Sequence, residues 1–314
     1  MIQSKPSPID HDGLFKELIR VFTFEFLELF VPELSIDIDR TSFEFLDKEL
    51  LQVLDQGDRK EVDLLVKTRF KGEPVFFLIH FEVQSSHQNW SPRRMFQYAS
   101  RLYERFSLPI YPIALLTWDS PQKAASSAFS FGFPHLKVLE FNFHTIQLNR
   151  LPWRAFMRIE NPVATALMAK MDIPKSDRPK VKLEYLRMIT TLKIDVTKSA
   201  LIWQFMETYL RLNAQEEQMA QQLIQTELPP EKQNEMRLYN TSFHEKGRTE
   251  GRTEGERLAK LSTLSRLVER KFGESVLALH KEKIEELPIT EIDALFDVAI
   301  FFDDASELAA WFKQ

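Results

Sequence analysis

KEVDLLVKTRFKGEPVFFLIHFEVQ, residues 60–84, decides how this chain is read. Two runs rich in Val, Leu, Ile and Phe, residues 60–70 and 75–84, flank the turn-forming segment Lys71-Gly72-Glu73-Pro74. Together they predict a β-hairpin. In the second run Phe76, Leu78, His80, Glu82 and Gln84 share one face, and Val75, Phe77, Ile79, Phe81 and Val83 share the other, because side chains alternate along a strand. Both faces are apolar toward the turn, which predicts an internal strand with its polar residues confined to the far end. A turn centred between Gly72 and Glu73 sets Asp63 directly opposite Glu82, and Glu61 opposite Gln84. Opposed residues stand roughly 4.5–5.5 Å apart at Cβ, where like charges repel. A half-buried acidic pair is costly unless a cation lies between the carboxylates. Oxygen ligands suit a hard ion such as Mg²⁺ or Mn²⁺, and such an ion can drive phosphodiester hydrolysis. The same two acids also read as solvated residues at a frayed sheet edge, and the pattern alone leaves both readings open.

Upstream, residues 14–31 (LFKELIRVFTFEFLELFV) run without Pro or Gly and carry one broad apolar face. They predict a helix started near Asp10 or Asp12 and ended by Pro32. Residues 42–54 are ambiguous between strand and helix. Downstream, residues 84–92 form a polar loop, and Ser91-Pro92 opens a helix with Met95, Phe96, Ala99, Leu102, Tyr103 and Phe106 on one side. Residues 110–118 and 136–148 read as strands. The order helix, hairpin, helix, strand, strand predicts an α/β core over residues 1–155, a mixed sheet flanked by helices. A helical extension is expected over residues 156–242, then a small helical domain over 258–314 in which Gly273 caps a helix. Between them, in residues 243–257, Gly247, Gly251 and Gly255 recur every fourth position. Such a segment is either a close helix–helix contact in a homo-oligomer or a charged hinge.

Composition removes several function classes. The chain has 314 residues, 44% of them apolar, 26 Phe and no Cys. That excludes disulfides, thiolate zinc sites and cysteine nucleophiles. A formal net charge of −5 argues against a protein that coats nucleic acid, since coating needs a basic excess, but leaves room for catalysis on it. Glycine-rich phosphate loops, zinc-spaced histidine pairs and nucleophile elbows are missing from the sequence. The opening MIQSKPSPID is polar and the longest apolar runs, residues 74–83 and 108–118, are shorter than the roughly 20 residues that span a bilayer. No membrane partner and a cytoplasmic location are therefore expected.

Four short strings, in this order and spacing, resemble the Rpn family of recombination-promoting, transposase-like nucleases within the PD-(D/E)XK superfamily. They are His11-Asp12-Gly13-Leu14-Phe15-Lys16-Glu17, Asp63-Leu64-Leu65, Glu82-Val83-Gln84-Ser85 and Arg94-Met95-Phe96-Gln97-Tyr98. The resemblance covers roughly residues 8–120 and extends weakly to about 240. It implies a restriction-endonuclease-like core and a Mg²⁺- or Mn²⁺-dependent endonuclease acting on DNA in recombination or mobile elements. The alternative is a nuclease-fold scaffold with weak or no catalysis. By the same resemblance Asp63 and Glu82 ligate the metal, with the Val83 carbonyl as third ligand. Glu17 either completes that shell or is a solvated charge. Gln84 stands where the wider superfamily has lysine; an amide can orient water but brings no positive charge. Arg94 and Tyr98, one helical turn apart, either contact substrate phosphate or serve structure, Tyr98 in the core and Arg94 as partner of Glu82. His80 is expected to be a satisfied core histidine. The C-terminal residues resemble a small helical domain found appended to such nucleases, which implies no activity.

Overall fold

A computed structural model describes residues 11–46, 63–234, 257 and 259–312. Its strands are β1 (Glu44–Phe45), β2 (Leu64–Arg69), β3 (Phe76–Gln84), β4 (Ile110–Leu116), β5 (Ala128–Phe133), β6 (Leu136–Asn142) and β7 (His144–Gln147). Five of them form one sheet in the order β1-β2-β3-β4-β7, so β3 is central, in keeping with its two apolar faces. Gly72 turns the hairpin with φ +78°, a left-handed conformation that glycine adopts without penalty. Leu64 pairs with Phe81 and Arg69 with Phe76, the register expected from a turn at Gly72 and Glu73. β3 runs antiparallel to β2 but parallel to β4, and β4 parallel to β7, which makes the sheet mixed.

Helices cover both faces. Helix α4 (Pro92–Phe106) makes the crossover from β3 to β4, the connection a parallel pair requires. It lies on the even face of β3: Leu78 packs with Leu65, Tyr98 and Leu102, all buried. The odd face meets α1 (His11–Val21) and α2 (Thr23–Phe30), where Phe26 sits edge-on to Phe81 at 5.7 Å. The expected single helix over residues 14–31 is two helices. Phe22 leaves helical geometry at φ −125°, ψ 42°, and the Thr23 hydroxyl donates to the Ile19 carbonyl at 2.6 Å. A threonine that bonds back to the preceding turn in this way competes with the helical backbone ladder. Helix α3 (Pro32–Asp37) then starts at the proline.

The expected strand over residues 136–148 is also two. β6 pairs with β5 in a separate two-stranded sheet, while β7 joins the main one. β5 is a strand outside those expected, and Phe129, Phe131 and Phe133 alternate there with Ser130 and Gly132. At Gly132 a Cβ would lie 2.6 Å from the Leu136 carbonyl oxygen, so only glycine lets the two strands approach at this turn. Of the ambiguous residues 42–54, Glu44–Phe45 are strand, and 47–54 fall outside the described residues.

Helices α5 (Pro162–Leu167), α6 (Arg178–Thr191), α7 (Val196–Tyr209) and α8 (Ala214–Glu227) follow. These helices, in the expected helical extension, fall within the same compact unit as the sheet, Met1–Met236. Phe205 on α7 packs edge-on against Phe15 at 5.0 Å, and the Asn161 amide donates to the Glu25 carbonyl at 2.9 Å. The second unit, Arg237–Gln314, is helical over residues 259–272, Glu274–Glu286, Ile289–Ala299 and Ala305–Trp311. It has its own core of Leu264, Val268, Ile284, Ile292, Leu295 and Leu308. Gly273, at φ +88°, donates its N–H to the Glu269 carbonyl at 2.9 Å and so closes the first of these helices. The glycine tetrads at 247, 251 and 255, and Glu61, lie outside the described residues. Among the described residues no helix is long and apolar enough to cross a membrane.

Candidate active site

The polar end of β3 brings together most of the residues singled out in the sequence. Asp63 immediately precedes β2 and Glu82 lies near the end of β3, so continuing the hairpin register sets them opposite each other. Both are enclosed: the Asp63 side chain keeps 12% of its surface exposed and that of Glu82 6%. Their partners come from different elements. Lys16 on α1 places Nζ 2.7 Å from Asp63 Oδ1, and the Val83 backbone N–H donates to Asp63 Oδ2 at 2.6 Å. Arg94, in the first turn of α4, donates from Nη2 to Glu82 Oε1 at 2.8 Å and from the same nitrogen to Gln84 Oε1. Its Nη1 donates to the Asn89 carbonyl at 3.2 Å, which ties the guanidinium to the loop before the helix.

Electrostatics strain this arrangement. Burial, and then repulsion from Glu82, push the Asp63 carboxyl up to about 6, against the opposing pull of Lys16 and the Val83 N–H. Burial works against the charge of Lys16 too, but Asp63, with Asp12 and Glu82, outweighs it and holds the amine above the ordinary lysine value. Lys16 thus favours the charged form of Asp63 without outweighing burial and Glu82.

One carboxylate oxygen, Glu82 Oε2, is buried with no hydrogen-bond partner. His80 Nε2 stands 3.8 Å from it, beyond hydrogen-bond range. His80 is fully buried, sits edge-on to Tyr98 at 5.6 Å, and neither ring nitrogen finds a hydrogen-bond partner. It is a core histidine as expected, but not a satisfied one. A buried polar atom without a partner carries a desolvation penalty, so Glu82 Oε2 marks a place where a cation would be welcome.

The donor set fits a hard divalent ion. Leu78 N bonds to the Pro109 carbonyl and Gln84 O accepts from Thr117 N, so even residues of β3 direct their backbone groups to β4. Odd ones, Val83 included, direct theirs to the β2 side, where Asp63 lies. Asp63, Glu82 and the Val83 carbonyl are the oxygens this end of the hairpin offers, and Mg²⁺ is commonly held by one or two carboxylates with water and substrate phosphate completing the shell. Among the described residues no group of three or more His, Asp or Glu side chains is placed to hold a metal.

Not every candidate joins the site. Glu17 is exposed on α1, and its neighbour Lys16 is the residue that reaches Asp63, since one step along a helix turns a side chain by about 100°. Tyr98 is buried in the core beside Leu65, Leu78 and Leu102, which leaves it little surface to offer a substrate. Arg94 takes the structural alternative, as partner of Glu82 and Gln84. The sequence signal for Lys16 is a lysine at the margin of an apolar helix face, beside Phe15 and Ile19. No family model matches the chain, and no curated protein or solved structure matches it.

Proposed function

We propose that this protein is a metal-dependent DNA endonuclease of the PD-(D/E)XK type, with its active site at the polar end of β3. The observation that carries the reading is the enclosed pair Asp63 and Glu82, held between Lys16 and Arg94 with Glu82 Oε2 unpartnered. Asp63, Glu82 and the Val83 carbonyl would hold Mg²⁺ or Mn²⁺, which when bound polarises the scissile phosphate and lowers the pKa of a nucleophilic water. Lys16 brings the positive charge that Gln84 lacks, close enough to Asp63 to stabilise charge building on a phosphate seated there. The Gln84 side chain keeps its NH₂ as donor for a water or a non-bridging oxygen, because Arg94 already occupies its carbonyl oxygen. Water adds to phosphorus, the bond to the leaving sugar oxygen breaks, and that oxygen takes up a proton.

Supercoiled plasmid with Mg²⁺ or Mn²⁺ tests this directly. The wild type is expected to nick it and Asp63→Ala to spare it; equal cutting by both would overturn the proposal. One observation favours a second reading, a nuclease-fold interaction scaffold: each carboxylate already has its own cation, Lys16 or Arg94. Titration calorimetry with Mg²⁺ separates the two, because a scaffold whose acids are neutralised this way gives no heat of binding that depends on Asp63.

A further inference from the structure

A cleft of about 630 Å³ shares α1 and the end of β3 with the candidate site. Phe15 and Ser85 line it, and they are the immediate chain neighbours of Lys16 and Gln84, so α1 and the end of β3 serve both places. Its cations come from three separate segments: Lys170 ends a short 3₁₀ turn, Arg178 opens α6 and Arg211 lies just past α7. Asp119 is the acidic side chain among the lining residues; it is 87% exposed and bonded to Lys170 at 2.5 Å. Arg178 gives Nε to Glu216 at 3.1 Å and one Nη to the Arg211 carbonyl, which leaves its other Nη and fixes it in place. The Arg211 side chain is exposed. An aromatic wall completes the cleft: the half-buried Tyr209 ring packs against Phe15, Phe205 and His11, each at 5.5 Å, and carries Lys170 Nζ 5.1 Å from its centre, and its hydroxyl lies 3.1 Å from His11 Nδ1.

We propose that this cleft binds single-stranded nucleic acid, seating a nucleotide next to the phosphate that Asp63 and Glu82 would act on. This rests on the nuclease reading for its position but not for its chemistry. A cationic groove beside an aromatic face is how unpaired strands are held, phosphates by the charges and a base by stacking. The volume lies within the range of roughly 300–1,000 Å³ typical of sites that enclose a small organic group. A recess of this kind admits an unpaired nucleotide, whereas a duplex presents its backbone to open surfaces. A net negative chain still binds a strand here, because the cations are concentrated in one place.

Fluorescence anisotropy of the full chain tests it, with a labelled single-stranded oligothymidylate and with a duplex of equal length, both in EDTA so that nothing is cut. The wild type is expected to favour the single strand. Arg211→Glu, at an exposed position, should weaken that binding about tenfold and lower the slope of log affinity against log salt by about 1. Lys170→Gln should act in the same direction, with thermal unfolding recorded for both variants. If Arg211→Glu folds and binds the oligonucleotide like the wild type, or if the duplex binds as tightly as the single strand, the proposal fails. The plasmid assay with Asp63→Ala reads the nuclease proposal separately. A protein that binds the strand through Arg211 and never nicks DNA keeps the cleft and loses the nuclease, and the reverse result does the opposite.

Discussion

Asp63 is a residue whose local environment opposes its charged form. Its folded pKa, about 6, lies above the ordinary 3.8, so the folded state holds the proton more tightly than the unfolded chain does. The favourable contribution of protonated Asp63 is complete below about 3.8 and is lost as pH rises through about 6. Asp63→Asn removes that loss, and its amide oxygen can still accept from Val83 N–H. In metal-free buffer the variant is expected to resist urea better than the wild type at pH 8 and to show no advantage below about pH 4. A wild type at least as stable as the variant at pH 8 would contradict this. A substitution that stabilises the fold while abolishing nicking is the behaviour of an active-site residue. Lys16 is the complementary case. Replaced by Met, it should leave the fold intact, since its amine is partly exposed, and reduce nicking about 100-fold, the scale on which a preorganised electrostatic donor acts; steady-state plasmid nicking is the measurement.

At the scale of elements, helix α4 does two jobs. Its apolar side packs on Leu65 and Leu78, and its first turn delivers Arg94 to Glu82 and Gln84. Arg94→Met keeps the packing and removes the charge, which leaves Glu82 enclosed and unpaired. Breaking a buried ion pair from one side costs about 3–5 kcal/mol, and because the Arg94 side chain keeps 18% exposure the lower figure, about 3 kcal/mol, is expected in urea unfolding at pH 7. Millimolar Mg²⁺ should return part of that loss in the variant, since a bound cation replaces the guanidinium as counter-charge. A variant as stable as the wild type would show that Glu82 draws its compensation from elsewhere.

At the scale of the whole molecule, the chain divides into units Met1–Met236 and Arg237–Gln314, and the described residues of each bury a core of their own. Two cores predict two unfolding steps in calorimetry. Leu264 is fully buried in the C-terminal unit, so Leu264→Ala should cost that unit about 3 kcal/mol, shift one transition only, and leave plasmid nicking at its wild-type rate. A shift of both transitions would mean that the units unfold together. The carboxylates, Lys16, Arg94 and the cleft all belong to Met1–Met236, so the candidate chemistry is confined to that unit.

The hairpin, its register, the central position of β3 and the opposition of Asp63 and Glu82 were legible in the sequence, because strand periodicity and a glycine turn are local properties. Local too is the alternation over residues 128–133 that marks β5. The break at Phe22 was not legible, since it depends on where the Thr23 hydroxyl finds an acceptor. Nor could the residue pattern decide between Lys16 and Glu17. They flank the same apolar stripe on opposite sides, and only the docking of α1 on the sheet selects which margin meets Asp63. The assembly of Lys170, Arg178, Tyr209 and Arg211 around one cleft likewise joins segments far apart in the chain, whose spacing carries no signal. Sequence alone determined which residues form the hairpin and which faces they share, because backbone geometry sets those within one element. Tertiary structure alone decided which charges meet there, because that depends on how separate elements pack.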